Sequence, residues 1–119
     1  PLIGEFALRD AGGDATEEVL STPGRLYMLC VTSFDALPRG CARRMARLVE
    51  RAAAEGAHVV CLTPQPLYDE PWHDFGTGRV RCYNIDASTM KTMLRARNGL
   101  VVLDDGTISD KRNCRDIRP

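Results

Sequence analysis

No Cys-x-x-Cys occurs in this sequence, although it holds five cysteines: Cys30, Cys41, Cys61, Cys82 and Cys114. Their odd number and irregular spacing match neither a zinc-site pattern nor the disulfide framework of a small secreted domain. Net charge is missing too, since 16 Lys and Arg balance 16 Asp and Glu. The chain as a whole therefore offers no bulk attraction to nucleic acid or to an anionic membrane. Aromatic residues make up only 6%, and they are not interleaved with basic runs as on a nucleic-acid-binding surface. The longest apolar run, Leu26 to Val31, is strand-sized, far short of the roughly 20 residues that span a bilayer. There is no Gly-x-Gly-x-x-Gly, no phosphate-cradling loop ending in Gly-Lys-Ser/Thr and no nucleophile-elbow serine. His58 and His73 stand far apart and fit no zinc-ligand spacing. Neither a cofactor nor a metal is expected.

What remains is an ordinary globular composition, 44% apolar and 27% charged over 119 residues, enough for one hydrophobic core and too little for two. One domain over residues 1–119 is expected. The opening Pro1-Leu2-Ile3-Gly4 carries neither an initiator Met nor a signal-peptide pattern. The expectation is a domain excised from a longer protein.

Local patterning predicts an α/β order. Glu5 to Asp10 suits a half-buried strand, and Ala11 to Asp14 a turn. Ala15 to Leu20 fits a short strand or a helical turn. Leu26 to Val31 is apolar without alternation, as in a strand covered on both faces. From Cys41 to Gly56 the period becomes helical, with Ala42, Met45, Leu48, Val49, Ala52 and Ala53 on one stripe and Gly56 at the C-terminus. His58 to Thr63 reads as a second buried strand. Pro64, Pro66 and Pro71 break any long helix, leaving room for a short helical turn around Tyr68 to Phe75. Val80 to Asn84 is a third strand. Asp86 and Ser88 are both N-cap candidates for a helix bearing Met90, Met93 and Leu94. Leu100 to Leu103, the turn Asp104-Asp105-Gly106 and Thr107 to Lys111 predict a hairpin. The first strands should be parallel, joined by right-handed crossovers, and the closing hairpin makes the sheet mixed. Cys30, Cys61 and Cys82 lie in strand patterns, where a free cysteine acts as a small hydrophobe.

Specific residues carry a resemblance. Phe6-Ala7-Leu8-Arg9-Asp10-Ala11-Gly12-Gly13-Asp14 resembles the opening hairpin of TlpA-like and peroxiredoxin-like thioredoxin relatives. Val80 to Gly106 resembles their inserted strand and helix followed by the cis-proline strand. Met90 to Gly106, with Arg115-Asp116-Ile117-Arg118-Pro119, is similar to the soluble tail of DoxX-type membrane proteins of Bacteroidetes. The resemblance implies a thioredoxin-like fold, a mixed central sheet flanked by helices and without the family's final helix. It also implies a place on the periplasmic face of the inner membrane, with a cytoplasmic location as the alternative.

The chain departs from that pattern in ways that bear on chemistry. Asn98 stands at the cis-proline position, and a trans bond is expected before it because cis costs about 2.5–4 kcal/mol without proline. If Cys41 matches the family's second active-site cysteine, Pro38 holds the place of the first. Cys41 sits at a predicted helix N-terminus among Arg39, Arg43 and Arg44, a setting that favours a thiolate. Cys114, at the end of the last strand, could lie at the same end of a thioredoxin-like sheet and is a possible partner. Arg39, Arg43, Arg44 and Arg47 either bind an anion or acidic partner or form the solvated side of the helix.

Two readings follow. One is a non-redox interaction or structural module of a DoxX-type protein, contacting the membrane portion of its own chain or a periplasmic protein. The other is a thiol-dependent oxidoreductase using Cys41, as a single thiol or with Cys114. A missing final helix would leave Leu100 and Val102, or Val101 and Leu103, facing a gap. That gap would be filled by Lys111–Pro119 folding back, by a second copy in a homodimer, or by the membrane portion.

Overall fold

Six consecutive positions from Leu26 to Val31 are buried, which a strand achieves only when both faces of its sheet are covered. The protein, described over residues 6–118 of a computed structural model, builds that sheet from eight strands. Along the chain run β1 (Leu8–Asp10), β2 (Gly13–Asp14), α1 (Thr16–Leu20), β3 (Arg25–Val31), α2 (Arg39–Glu55) and β4 (His58–Thr63). They are followed by β5 (Trp72–Asp74), β6 (Arg79–Ile85), α3 (Ala87–Leu94), β7 (Asn98–Asp104), β8 (Thr107–Asn113) and a 3₁₀ turn, Cys114–Asp116. Pro1 to Glu5, including the first residue of the expected opening strand, and Pro119 lie outside the described residues.

The sheet order is β2-β1-β6-β4-β3-β7-β8, with β5 on the outer side of β6. β3, β4 and β6 are parallel neighbours, and β7 and β8 close the sheet antiparallel. The expected α/β class, the parallel pairing of Leu26–Val31 with the His58 strand and the closing hairpin are all present.

Alternation sorts the core into two layers. Tyr27, Leu29, Val31, Leu100 and Val102 pack with Met45, Leu48, Val49 and Ala52 of α2. Leu26, Met28, Cys30, Val101 and Leu103 pack with Val19 of α1 and Met90 and Leu94 of α3. The expected stripe of α2 is the buried one. The helix ends at Gly56, whose φ of 71° lets the Ala57 N–H turn back to the Ala52 carbonyl at 2.9 Å. Of the two cap candidates for α3 it is Asp86 that accepts from Thr89 N, at 3.1 Å.

One expectation is corrected and two open alternatives are resolved. The stretch Tyr68 to Phe75 has no helical turn. Trp72–Asp74 instead pairs antiparallel with Arg79–Arg81, because Pro71 holds the preceding residue extended and Gly76, at φ 94°, turns the hairpin. Ala15 to Leu20 resolves into helix, and α2 begins at Arg39 rather than Cys41. The gap beside β7 is closed from within: Cys114 and Ile117, 5% and 3% exposed, pack on Leu100 and Val102. Of the three candidate covers, the C-terminal segment is the one in place. Among the described residues no α-helix follows β8.

Candidate functional site

The C-terminal ends of the parallel strands are where an α/β sheet ordinarily places its ligands, and both candidate cysteines lie there. Cys41 occupies the third position of α2, and Cys114 opens the 3₁₀ turn after β8. The two sulfurs are bonded across a sequence separation of 73, with Cα atoms 5.6 Å apart. Both residues are 5% exposed. Cys41 is thus joined to Cys114, the possible partner that the sequence offered for it. Cys30, Cys61 and Cys82 are free and buried. Burial pushes the Cys30 thiol up to about 12. Burial and the facing Cys82 thiol hold Cys61 well above the ordinary thiol range. Cys30 and Cys61 are therefore held as thiols, while the hydrogen bond with Cys61 lowers Cys82, which is buried at 1% exposure.

A cleft of about 400 Å³ opens over the bridge. Pro38, Gly40, Cys41 and Arg44 line it from α2, Arg97 and Asn98 from the start of β7, and Asn113, Cys114 and Arg115 from the end of the chain. No side chain caps α2, and its first turn holds no acid. Its first backbone bond runs from Ala42 N–H to the Pro38 carbonyl, at 2.9 Å. The preceding N–H groups thus reach the cleft end unbonded by the helix. Arg44 and Arg97 have no carboxylate within 4.0 Å among the described residues, while Arg115 meets Asp116 at 4.0 Å. Positive charge at a helix N-terminus opposes the helix dipole, so the cleft is a place suited to an anion.

Asn98 lines the cleft. Its Oδ1 accepts from Thr32 N–H at 3.1 Å, and the Thr32 hydroxyl donates to the Arg97 carbonyl. The peptide before Asn98 is trans, as expected, since no cis bond occurs among the described residues. Asn113 Oδ1 accepts from Arg115 N–H at 3.2 Å and so fixes the turn bearing Cys114. The structure thus gathers Cys41, Cys114, Asn98 and Arg44 in one place. Arg39, Arg43 and Arg47 are exposed and do not line the cleft. Arg97 and Arg115 were not anticipated. Arg97 reads in sequence as a helix-end cation, and only the return of β7 beside β3 brings it to α2.

Among the described residues no group of three or more His, Cys, Asp or Glu is placed to hold a metal, and no helix is long and apolar enough to cross a membrane. No family model, curated protein or solved structure matches the chain.

Proposed function

We propose that this domain is a thioredoxin-like interaction module, of the kind carried by DoxX-type membrane proteins, in which Cys41–Cys114 is a structural clasp. Support for the fold reading comes from three parallel strands, a helix crossing between the first two, and an antiparallel closing hairpin. The observation that carries the functional reading is the partner of Cys41. A dithiol exchanger keeps its resolving thiol close in sequence on the same helix. Here the partner arrives from 73 residues away, and both sulfurs are buried. A disulfide of this kind belongs to an oxidising compartment, which favours the periplasmic side over the cytoplasm. The module's partner is then the membrane portion of its own full-length chain or another periplasmic protein.

One observation favours the second reading, thiol–disulfide exchange: the bridge lies under an open cleft at an uncapped helix start beside Arg44, Arg97 and Arg115. The reduction potential separates the two. A clasp is expected below about −300 mV, and an exchanger at about −120 to −270 mV. The clasp reading also predicts negligible insulin reduction by the isolated domain. A potential in the exchanger range, with a mixed disulfide trapped on Cys41 in the Cys114→Ser variant, would overturn it.

A further inference from the structure

On the other side of Arg97 lies a second cavity, of about 650 Å³, within the range of roughly 300–1,000 Å³ typical of small-molecule sites. Its apolar lining comes from Pro64, Met90 and Ala96, with the exposed Ala87 at the mouth. Met90 is 2% exposed and is the kind of unbranched, polarizable side chain that adapts to a ligand. The rim is cationic: Lys91, Arg95 and Arg97 line it, and no Asp or Glu does. Among the described residues no carboxylate lies within 4.0 Å of these three cations. In a chain of zero net charge this excess of cations is local.

Arg95 adds a separate observation. It closes α3 in the left-handed conformation, φ 59° and ψ 31°, where glycine is the usual residue. An arginine stands there against backbone preference, and its neighbours turn back so that Arg95 and Arg97 face one cavity.

We propose that this groove binds an amphipathic anion, an acyl chain with an anionic head: the chain on Pro64, Ala87, Met90 and Ala96, the head among Lys91, Arg95 and Arg97. A flat anionic membrane would meet the rim and leave the apolar lining empty. A hydrophilic oxyanion would leave the apolar lining unused. The proposal does not depend on how Cys41–Cys114 functions. The head is a carboxylate, as in a free fatty acid, or a phosphate, as in a lysolipid.

Calorimetric titration of the intact oxidised protein tests this with four dodecyl compounds below their micelle concentrations: dodecanoate, dodecyl phosphate, dodecanol and dodecyltrimethylammonium. Saturable binding is expected for one or both anions, at least about ten-fold tighter than for the alcohol or the cation. Preference for dodecanoate assigns the fatty-acid head, and preference for dodecyl phosphate the lysolipid head. Arg95→Gly suits the left-handed backbone, so it should keep or raise the melting temperature while weakening the anions at least about five-fold. Ala87→Phe, at an exposed position, should block the chain without removing charge. Failure of both anions to bind, equal binding of the cation, or anion binding unchanged in both variants overturns the proposal.

Discussion

At the scale of single residues, Gly99 and His73 are the sharpest test points. A Cβ on Gly99 would run into the Arg112 backbone carbonyl and both Leu94 methyls, where β7 lies between β8 and α3. Gly99→Ala is expected to destabilise by about 1–3 kcal/mol, read from denaturant unfolding with an unchanged m-value. His73 stacks on Phe34 at 4.0 Å and meets Phe75 edge-on at 4.6 Å. Its partial burial there holds its pKa below the ordinary 6.5, against the opposing pull of Asp74. The unfolded chain therefore takes up the proton first, so stability is full above pH 6.5 and falls as pH drops through that value. His73→Leu should flatten this part of the pH profile. The acid loss from Asp104, whose carboxylate is held below 3.8 chiefly by Arg25, should remain, because it begins only near that lower pH. An unaltered profile between pH 7 and 5 in His73→Leu would contradict the assignment. These two positions were not legible in advance, since the contacts that decide them, Phe34 against His73 and the Arg112 carbonyl against Gly99, come from other elements.

At the scale of elements, legibility followed the range of the interaction. α2 could be read because its Met45–Leu48–Val49–Ala52 stripe and its Gly56 stop are local signals. β3 and β4 could be read because burial on two faces writes itself as an unbroken apolar run. β5 could not, because three residues between prolines and glycines carry no period; its pairing is decided by β6. The same distinction divides the candidate site. Cys41 at a helix start was visible, whereas its junction with Cys114 depends on α2, β7 and the last turn converging. The bridge fastens the terminal turn to the first turn of α2, and further along that helix Arg51 Nη1 donates to the Arg118 carbonyl at 3.0 Å. Closing a loop of this 73-residue separation is worth about 4 kcal/mol in the chain-entropy account. Cys41→Ser with Cys114→Ser, measured against the oxidised protein, should lower unfolding free energy by an amount of that order. A loss under about 1 kcal/mol would show that the terminal turn docks without its clasp.

At the scale of the whole molecule, the radius of gyration of 12.9 Å is that of one compact unit of this length, about 13–14 Å. The apolar face of β7 is completed by Cys114 and Ile117, so a second copy of the chain is not needed to bury it. Removing Arg112–Pro119 should uncover Leu100 and Val102 and produce self-association or poor solubility. Sedimentation checks this, and an unchanged monomer after truncation would exclude the covering role. The bridge also has a mechanical consequence. Pulled by its two ends, the oxidised protein would carry tension through α2's first turn straight into the final turn, leaving β4 to β8 inside a slack covalent ring. In a force-extension trace roughly 250 Å of contour, at about 3.4 Å per residue over the 73-residue separation, should stay hidden until a reductant releases it.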